Sequence, residues 1–486
     1  MHEEKTIYEK SRRGRIGYSF DIKQVEDMTA HDFLPEELIR KVKPKLPEVS
    51  ELDVVRHYTR LSQQNYSIDS HFYPLGSCTM KYNPRVNEEI ASYDGFVHTH
   101  PLQYQYTIQG NLRLMYELGE MLKSITGLDA VSLQPAAGAH GELTGLLMIR
   151  EFHKSQGKAR KKVIIPDSAH GTNPSSAHIA GYEVVTVKTD SDGYVDFNEL
   201  EKLVDDEVAC LMITNPSTLG IFEKNIKRIA NLIHQNGGLV YCDGANLNAI
   251  MGKVNFSQLG IDCVHVNLHK TFTTPHGGGG PGSGPVLVRA VLEPFLPVPV
   301  INKLDDGKYE AEFHRANTIG RIRAFYGNFG MFVRAYSYIK ELGSQGIKEV
   351  SERAVLNANY IRARLKDHYH LAFEASSMHE VVFTDKHFKP YGIKTLDVAK
   401  RLLDYGFHSP TVYFPITVSG AIMIEPTESE SMETLDHFCD VMIKICDEAK
   451  TDPEMVKKAP HNTFRRRLDE TKAIKEPKLR ERFNHD

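Results

Sequence analysis

Lys270 closes an apolar, β-branched segment (Val264, Val266), and Gly277 to Gly280, Gly282 and Gly284 follow it. A strand end delivers an amine at a rigid point, and glycines let backbone approach a ligand with no Cβ in the way. An amine held so can form a Schiff base with pyridoxal phosphate. The plainer reading is a surface lysine before a loose loop. A second stretch, residues 237–246, shifts the balance: it reads as a short buried strand ending in Asp243. Pyridoxal phosphate is an electron sink only while its pyridine nitrogen stays protonated, and a fixed carboxylate keeps it so. A helix-capping aspartate is the alternative for Asp243 alone. Two strand-end residues, one acid and one amine, say more than either does.

Other segments offer chemistry of the same kind. Small residues in 134–142 (QPAAGAHGE) lead into an apolar helix expected at 143–152, so Ala137, Gly138 and Ala139 form a phosphate cradle or a tight turn. His170 is a flat ring that could stack on a pyridine, or a loop histidine capping backbone. Segment 72–85 carries aromatics, prolines and a glycine, which marks an ordered loop rather than a linker. Within it Cys78 has no base beside it and reads as a packed thiol rather than a nucleophile. His98, His100 and Gln103 lie in another polar loop, where a metal site is the less favoured reading; no metal is expected.

The elements that must position these residues alternate. Strands are expected at 162–166, 183–188, 208–214, 238–243, 263–267 and 285–289, with helices between several of them, as at 198–203 and 223–235. Short apolar strands alternating with helices imply an α/β fold, a mostly parallel sheet covered on both faces, whose ligands bind at the carboxyl ends of the strands. His170, Thr218 in 215–218, Asp243 and Lys270 all fall at such ends. Leu112, Met115, Leu118 and Leu122 form one apolar helix face, and 54–62 reads as a short helix. Beyond Gly327 a long helical stretch leads to strands at 380–384 and 421–425, a helix near 396–405 and a closing helix at 431–449, a smaller α+β domain. The expected division is an arm with active-site loops at 1–105, a large domain at 106–330, a small domain at 331–450 and a charged extension at 451–486.

Bulk properties narrow the setting. A chain of 486 residues with 41% hydrophobic side chains can bury a large core, and a net charge of −4 makes no electrostatic case for nucleic acid or membrane. Six cysteines without CxxC spacing suggest reduced thiols, hence a cytoplasmic protein, and neither a signal segment nor a membrane-length apolar run is apparent.

The chain resembles the two-chain glycine dehydrogenases (decarboxylating), the P-proteins of the glycine cleavage system, and within them the β chain, subunit 2. The likeness runs over essentially the whole sequence and rests on 73–84 (YPLGSCTMKYNP), 134–142, 169–174 (AHGTNP), 243–246 (DGAN) and 267–282 (NLHKTFTTPHGGGGPG). The resemblance implies the aminotransferase-type, fold type I architecture, with pyridoxal 5'-phosphate as cofactor. Lys270 would be the Schiff-base lysine, Asp243 the pyridinium partner and His170 the stacking residue, with Ala137, Gly138 and Ala139 near the phosphate and Ala245 and Thr218 also at the cofactor. It further implies decarboxylation of glycine, transfer of the aminomethyl group to the lipoyl arm of H-protein, and a companion α subunit in an α2β2 assembly. Ser77, Cys78, His98, His100, His140 and Asn246 are then candidates for the substrate pocket or lipoyl channel. Another lyase or aldolase of the same fold, acting on a small amino acid, would share Lys270 and Asp243. A nucleotide-binding protein is disfavoured, because no GxxxxGK[ST] occurs and Lys270 precedes the glycines.

Overall fold

The computed structural model describes residues 3–17, 29–42, 44–276 and 282–479; the glycine run 277–280 lies outside the described residues. The chain divides into two compact units, Met1–Ser70 with Ala459–Asp486, and His71–Lys458.

In the first unit the main helix spans Glu51–Gln63, starting a turn before the expected one. Its start is set by a capping box: Ser50 Oγ accepts the Asp53 N–H at 3.2 Å, and the Asp53 carboxylate accepts the Ser50 N–H at 3.1 Å. Two amides that a helix start leaves unpaired are thereby satisfied. Arg15, in the N-terminal arm, donates to the same Asp53 at 2.8 Å.

The second unit is built on a seven-stranded sheet. Its strands are β1 (Ala130–Ser132), β2 (Lys162–Pro166), β3 (Glu183–Val187), β4 (Val208–Thr214), β5 (Leu239–Gly244), β6 (Cys263–Val266) and β7 (Val286–Val288). They lie in the order β1-β7-β6-β5-β4-β2-β3. All neighbours from β3 to β6 are parallel, and β7 runs against both β6 and β1. The sheet is thus mostly parallel, as the alternation of elements implies, and six of its strands begin and end within one residue of the expected positions. β1 went unforeseen because three residues are too short to show a period.

The strands read as continuous apolar runs because both faces are covered. Leu211, Ile213, Val240, Cys242, Val264 and Val266 join one core, whereas Met212, Tyr241 and Cys263 join the opposite one. That is the period-two alternation of a strand. Ile226, Ile229, Ala230 and Ile233 of the helix Ile226–Gln235 pack on the first face, and Leu146, Met148 and Ile149 of the helix Gly138–Ser155 on the second. The latter helix begins at Gly138 rather than at 143. Its first turn is made of small residues with no apolar period, so Gly138, Ala139 and His140 belong to the helix and not to the loop before it.

A hairpin, β8 (Val300–Lys303) and β9 (Tyr309–Glu312), follows. The helical stretch Phe329–Leu365 is interrupted at Gly343, whose φ of 63° and ψ of −174° break it into two helices. A four-stranded antiparallel sheet comes next, in the order β10 (His370–Leu371), β11 (Val381–Thr384), β13 (Ala421–Ile424), β12 (Thr411–Val412). Helices Thr395–Asp404 and Met432–Thr451 cover it over a second core that includes Phe383, Ile422, Ile424, Phe438 and Met442. Phe72 enters this core and Leu75 bridges to Ile424, so the 72–85 segment is held along the small sheet, an ordered loop as its composition implies.

Candidate active site

Three parallel strands bring their carboxyl ends into register, with Thr214 opposite Asp243 and Asp243 opposite His265. Asp243 is buried, and its carboxylate accepts from Asn173 Nδ2 at 3.1 Å and from the Ala245 N–H at 2.9 Å, with His265 Nε2 at 3.2 Å. Tyr241 OH in turn meets His265 Nδ1 at 2.7 Å, which fixes the imidazole from behind. Burial alone raises the carboxyl, but His265, the Ala245 amide, Asn173 and the Lys270 charge outweigh it and hold Asp243 below its ordinary value. It is an anion at neutral pH, aimed into a cavity. Such a group keeps a proton on an aromatic nitrogen.

Lys270 arrives from the neighbouring strand. After β6 the chain turns, the Lys270 N–H donating to Asn267 O at 3.1 Å, and the half-buried side chain sends Nζ to Ser77 O at 2.8 Å. His269 and His276 flank it; burial, with positive neighbours, pushes His269 down to about 3 and His276 below its usual range. Both are neutral rings.

Helix Gly138–Ser155 points its first turn at the same place. Its N-cap, Ala137, offers no side-chain cap, and the amides of a helix start together with the dipole make an anion site. Gly138 is required by contact: a Cβ there would lie 2.8 Å from Asn267 Oδ1 and 3.2 Å from His265 Nε2. Gly284 is required likewise, since its Cβ would come within 2.1 Å of Ala137 O.

These groups share one cavity of about 170 Å³, lined among others by Ser77, Gly138, Ala139, His170, Thr218, Asp243, Ala245, Asn246 and Lys270. His170 Nδ1 meets Thr172 Oγ1 at 2.9 Å, and the Thr218 hydroxyl donates to Ser168 O. Ala137 stands one residue behind the lining, and Cys78 is half-buried in the turn beyond Ser77, its thiol pushed up by burial. His140 is not part of the lining, and its Nδ1 accepts the Ala136 N–H at 3.1 Å. His98 sits exposed with Asp94 at 3.6 Å, and His100 lines a different, apolar cavity with Phe96, Phe325 and Phe329.

Residues not singled out from sequence complete the site. His265, Asn173, Glu142, Thr214, Asn267 and His269 surround the same space or the Asp243 carboxylate. Glu142, buried, accepts from Thr172 Oγ1 and Ser176 Oγ, each at 2.8 Å. His265 is a lone imidazole in the apolar run Cys263–Val266, but only the register of the folded strands sets it beside Asp243. Segment 77–83 lies within the 73–84 motif, but its contacts have no signature in the sequence. Lys81 Nζ reaches Thr271 O at 2.6 Å and Glu428 at 2.7 Å, and Asn83 Nδ2 reaches Thr273 O at 2.6 Å, so this strap runs beside the Lys270 turn.

The donor set fits pyridoxal phosphate. The cavity offers an amine, a buried anion, an uncapped helix start and a histidine ring, and the side-chain oxygens of Asn246 and Asn267 are buried acceptors without a partner among the described residues. Among the described residues two trios also bring metal-ligand atoms together, Glu142 with Asp243 and His265, and His379 with Glu380 and Glu425.

Comparison with known proteins gives concordant findings. Residues 350–466 match the family model described as glycine dehydrogenase, C-terminal domain, and residues 145–289 that of class-V aminotransferases. A probable glycine dehydrogenase (decarboxylating) subunit 2 of Lysinibacillus sphaericus is 56% identical over 99% of this chain and 99% of its own. The protein of the same description from Caldanaerobacter subterraneus is 55% identical over 98% of each chain. Among solved structures, the glycine decarboxylase (P-protein) of the glycine cleavage system superposes with a TM-score of 0.73 at 19% identity, covering 87% of this chain and 97% of that one. A sphingosine-1-phosphate lyase of Burkholderia pseudomallei follows at 0.64 and 14%, covering 86% and 94%. The fold is that of the aminotransferase-like α/β enzymes, as expected.

Proposed function

Because this chain belongs to the family of glycine dehydrogenase (decarboxylating) subunit 2, we infer that it decarboxylates glycine with pyridoxal phosphate as one chain of the glycine cleavage system. The observation that carries the reading is the convergence of Lys270, Asp243, His170 and the Gly138–Ala139 helix start on one cavity. When bound, the cofactor supplies the electron sink for the charge left on the glycine carbon as CO2 departs. The chain's own residues do the rest. Lys270 is the amine that anchors the cofactor. Asp243, kept anionic by four partners, holds the proton at the ring nitrogen. The amides of Gly138 and Ala139, with Ala137, Thr218 and Ala245 nearby, would hold the phosphate, and His170 would lie against the ring. Ser77 and Asn246 would border the space for glycine and the lipoyl arm, where walls that exclude water would limit stray proton transfer.

The description of the relatives as a second subunit supports a companion chain, and the reading extends to an α2β2 assembly acting on lipoylated H-protein. Exposed apolar side chains in the first unit, Phe33, Leu34, Leu38, Leu46, Leu52 and Val55, are surface of the kind a companion would cover. All six cysteines are free thiols, which supports the reducing cytoplasm as the compartment. The test is a visible spectrum with added pyridoxal phosphate, then borohydride reduction and peptide mapping. A pyridoxyl group on Lys270 is expected; a label elsewhere, or none even with the companion chain present, overturns the reading.

A further inference from the structure

Glu380 and Glu425 flank the paired strands β11 and β13. The register Val381 opposite Ile424, continued by one residue, sets them across from each other. Both are completely buried, as is His379, whose Nε2 lies 3.9 Å from Glu380 Oε1 and 4.0 Å from Glu425 Oε1. Among the described residues, neither ring nitrogen of His379 has a hydrogen-bond partner, nor does Glu380 Oε1. One side-chain ligand atom from each of the three lies within 4.8 Å of the others, and two facing carboxyls that close in a dry place favour a state in which only one is ionised.

The remaining oxygens are committed to one turn. Glu380 Oε2 accepts the Ser77 N–H at 2.8 Å, while Glu425 accepts the Thr79 N–H at 3.0 Å and its hydroxyl at 2.6 Å. Ser77 and Thr79 have φ of 64° and 49°, left-handed values that side-chain-bearing residues adopt at a cost of about 1 kcal/mol each. That conformation aims both amides at the carboxyls and leaves the Ser77 carbonyl to receive Lys270 Nζ at 2.8 Å.

We propose that Glu380 and Glu425 share one proton and, through the turn Ser77–Thr79, act as positioning residues for Lys270, so that the setting of the amine follows the protonation of the pair. The inference rests on Lys270 being the cofactor-anchoring lysine. Burial and the facing carboxyl lift Glu380 well above the usual range, and burial lifts Glu425 to about 7. The other charged groups around the pair are His379, Cys78, Lys270 and Glu428, the last paired with Lys81. Burial takes His379 down to about 3 and the Cys78 thiol up, so the step near pH 7 belongs to the pair.

The experiment follows pyridoxyl trapping at Lys270 by borohydride across pH 5.5 to 9 in the wild type, E425Q and E380Q, with thermal melting to confirm folding. The wild type is expected to show a change on the order of tenfold around pH 7, about one unit of interaction between neighbouring charges. In either folded variant that step should vanish while trapping persists, because glutamine can still accept from the turn but cannot ionise. A wild-type profile without the step, or variants that keep it, overturns the proposal. In cofactor-free protein the infrared C=O band of a protonated carboxyl reads the shared proton without Lys270. Its presence at pH 6, lost in E425Q and E380Q, supports the pair even where trapping at Lys270 fails and the cofactor reading falls. Its absence, or a stoichiometric divalent ion by elemental analysis, overturns it.

Discussion

At the scale of single residues the site separates charge by environment. Asp243 is anionic because its buried carboxylate has His265, an amide, Asn173 and Lys270 around it; for Glu425 burial outweighs the Thr79 hydrogen bonds and the Lys270 charge and drives it the other way. Asp243→Asn is therefore expected to keep the fold yet lower glycine-dependent CO2 exchange by ~100-fold or more, the order contributed by a positioned proton-holding group. The two acids also leave opposite marks on stability. Asp243, lowered from 3.8, stabilises the fold above that value, and the gap between wild type and D243N in urea should close as pH falls below about 4. Glu425, raised from 4.5 to about 7, stabilises the fold while protonated; wild type should lose stability relative to E425Q as pH rises from 4.5 through 7.

At the scale of elements, the strap 76–83 joins the Lys270 turn to the small sheet. Gly76 lies flat on β13, where an added Cβ would meet Met423 Cγ at 2.2 Å and its carbonyl oxygen at 2.9 Å. Gly76→Val should cost about 1–3 kcal/mol in urea unfolding, the range for overpacking a dense interior. Lys81 is the strap's other anchor, buried with Glu428, Asn248, Tyr338 and the Thr271 carbonyl as partners. Lys81→Met leaves Glu428 without its cation and should cost about 3–5 kcal/mol. Both variants test whether the strap, which touches neither strand end that carries Asp243 or Lys270 covalently, holds the site's geometry.

At the scale of the molecule, a cofactor that binds only the folded chain must stabilise it. Pyridoxal phosphate at about 100 times its dissociation constant should add about 2.7 kcal/mol, seen as a raised melting temperature, and Lys270→Ala should remove most of that rise. Absence of any rise in the wild type would contradict the assignment of the cavity. The site is spread across distant sequence, from Ser77 to Glu425, so its assembly depends on the whole of His71–Lys458 rather than on one motif.

Sequence by itself determined what local chemistry can encode. Apolar runs and turn residues place five parallel strands, and strand ends name Asp243, Lys270, Thr218 and His170. Two carboxyls at facing strand ends, or an amine beside a carbonyl 193 residues away, have no local signature. His265 was hidden among valines, because a strand's period does not say which polar residue meets a neighbouring aspartate. Glu380 and Glu425 were hidden for the same reason: only the antiparallel register sets them opposite each other, and only burial turns two ordinary glutamates into one proton-sharing pair. Periodicity is a property of a segment. Desolvation and charge coupling are properties of what packs around it, and those the tertiary structure alone decided.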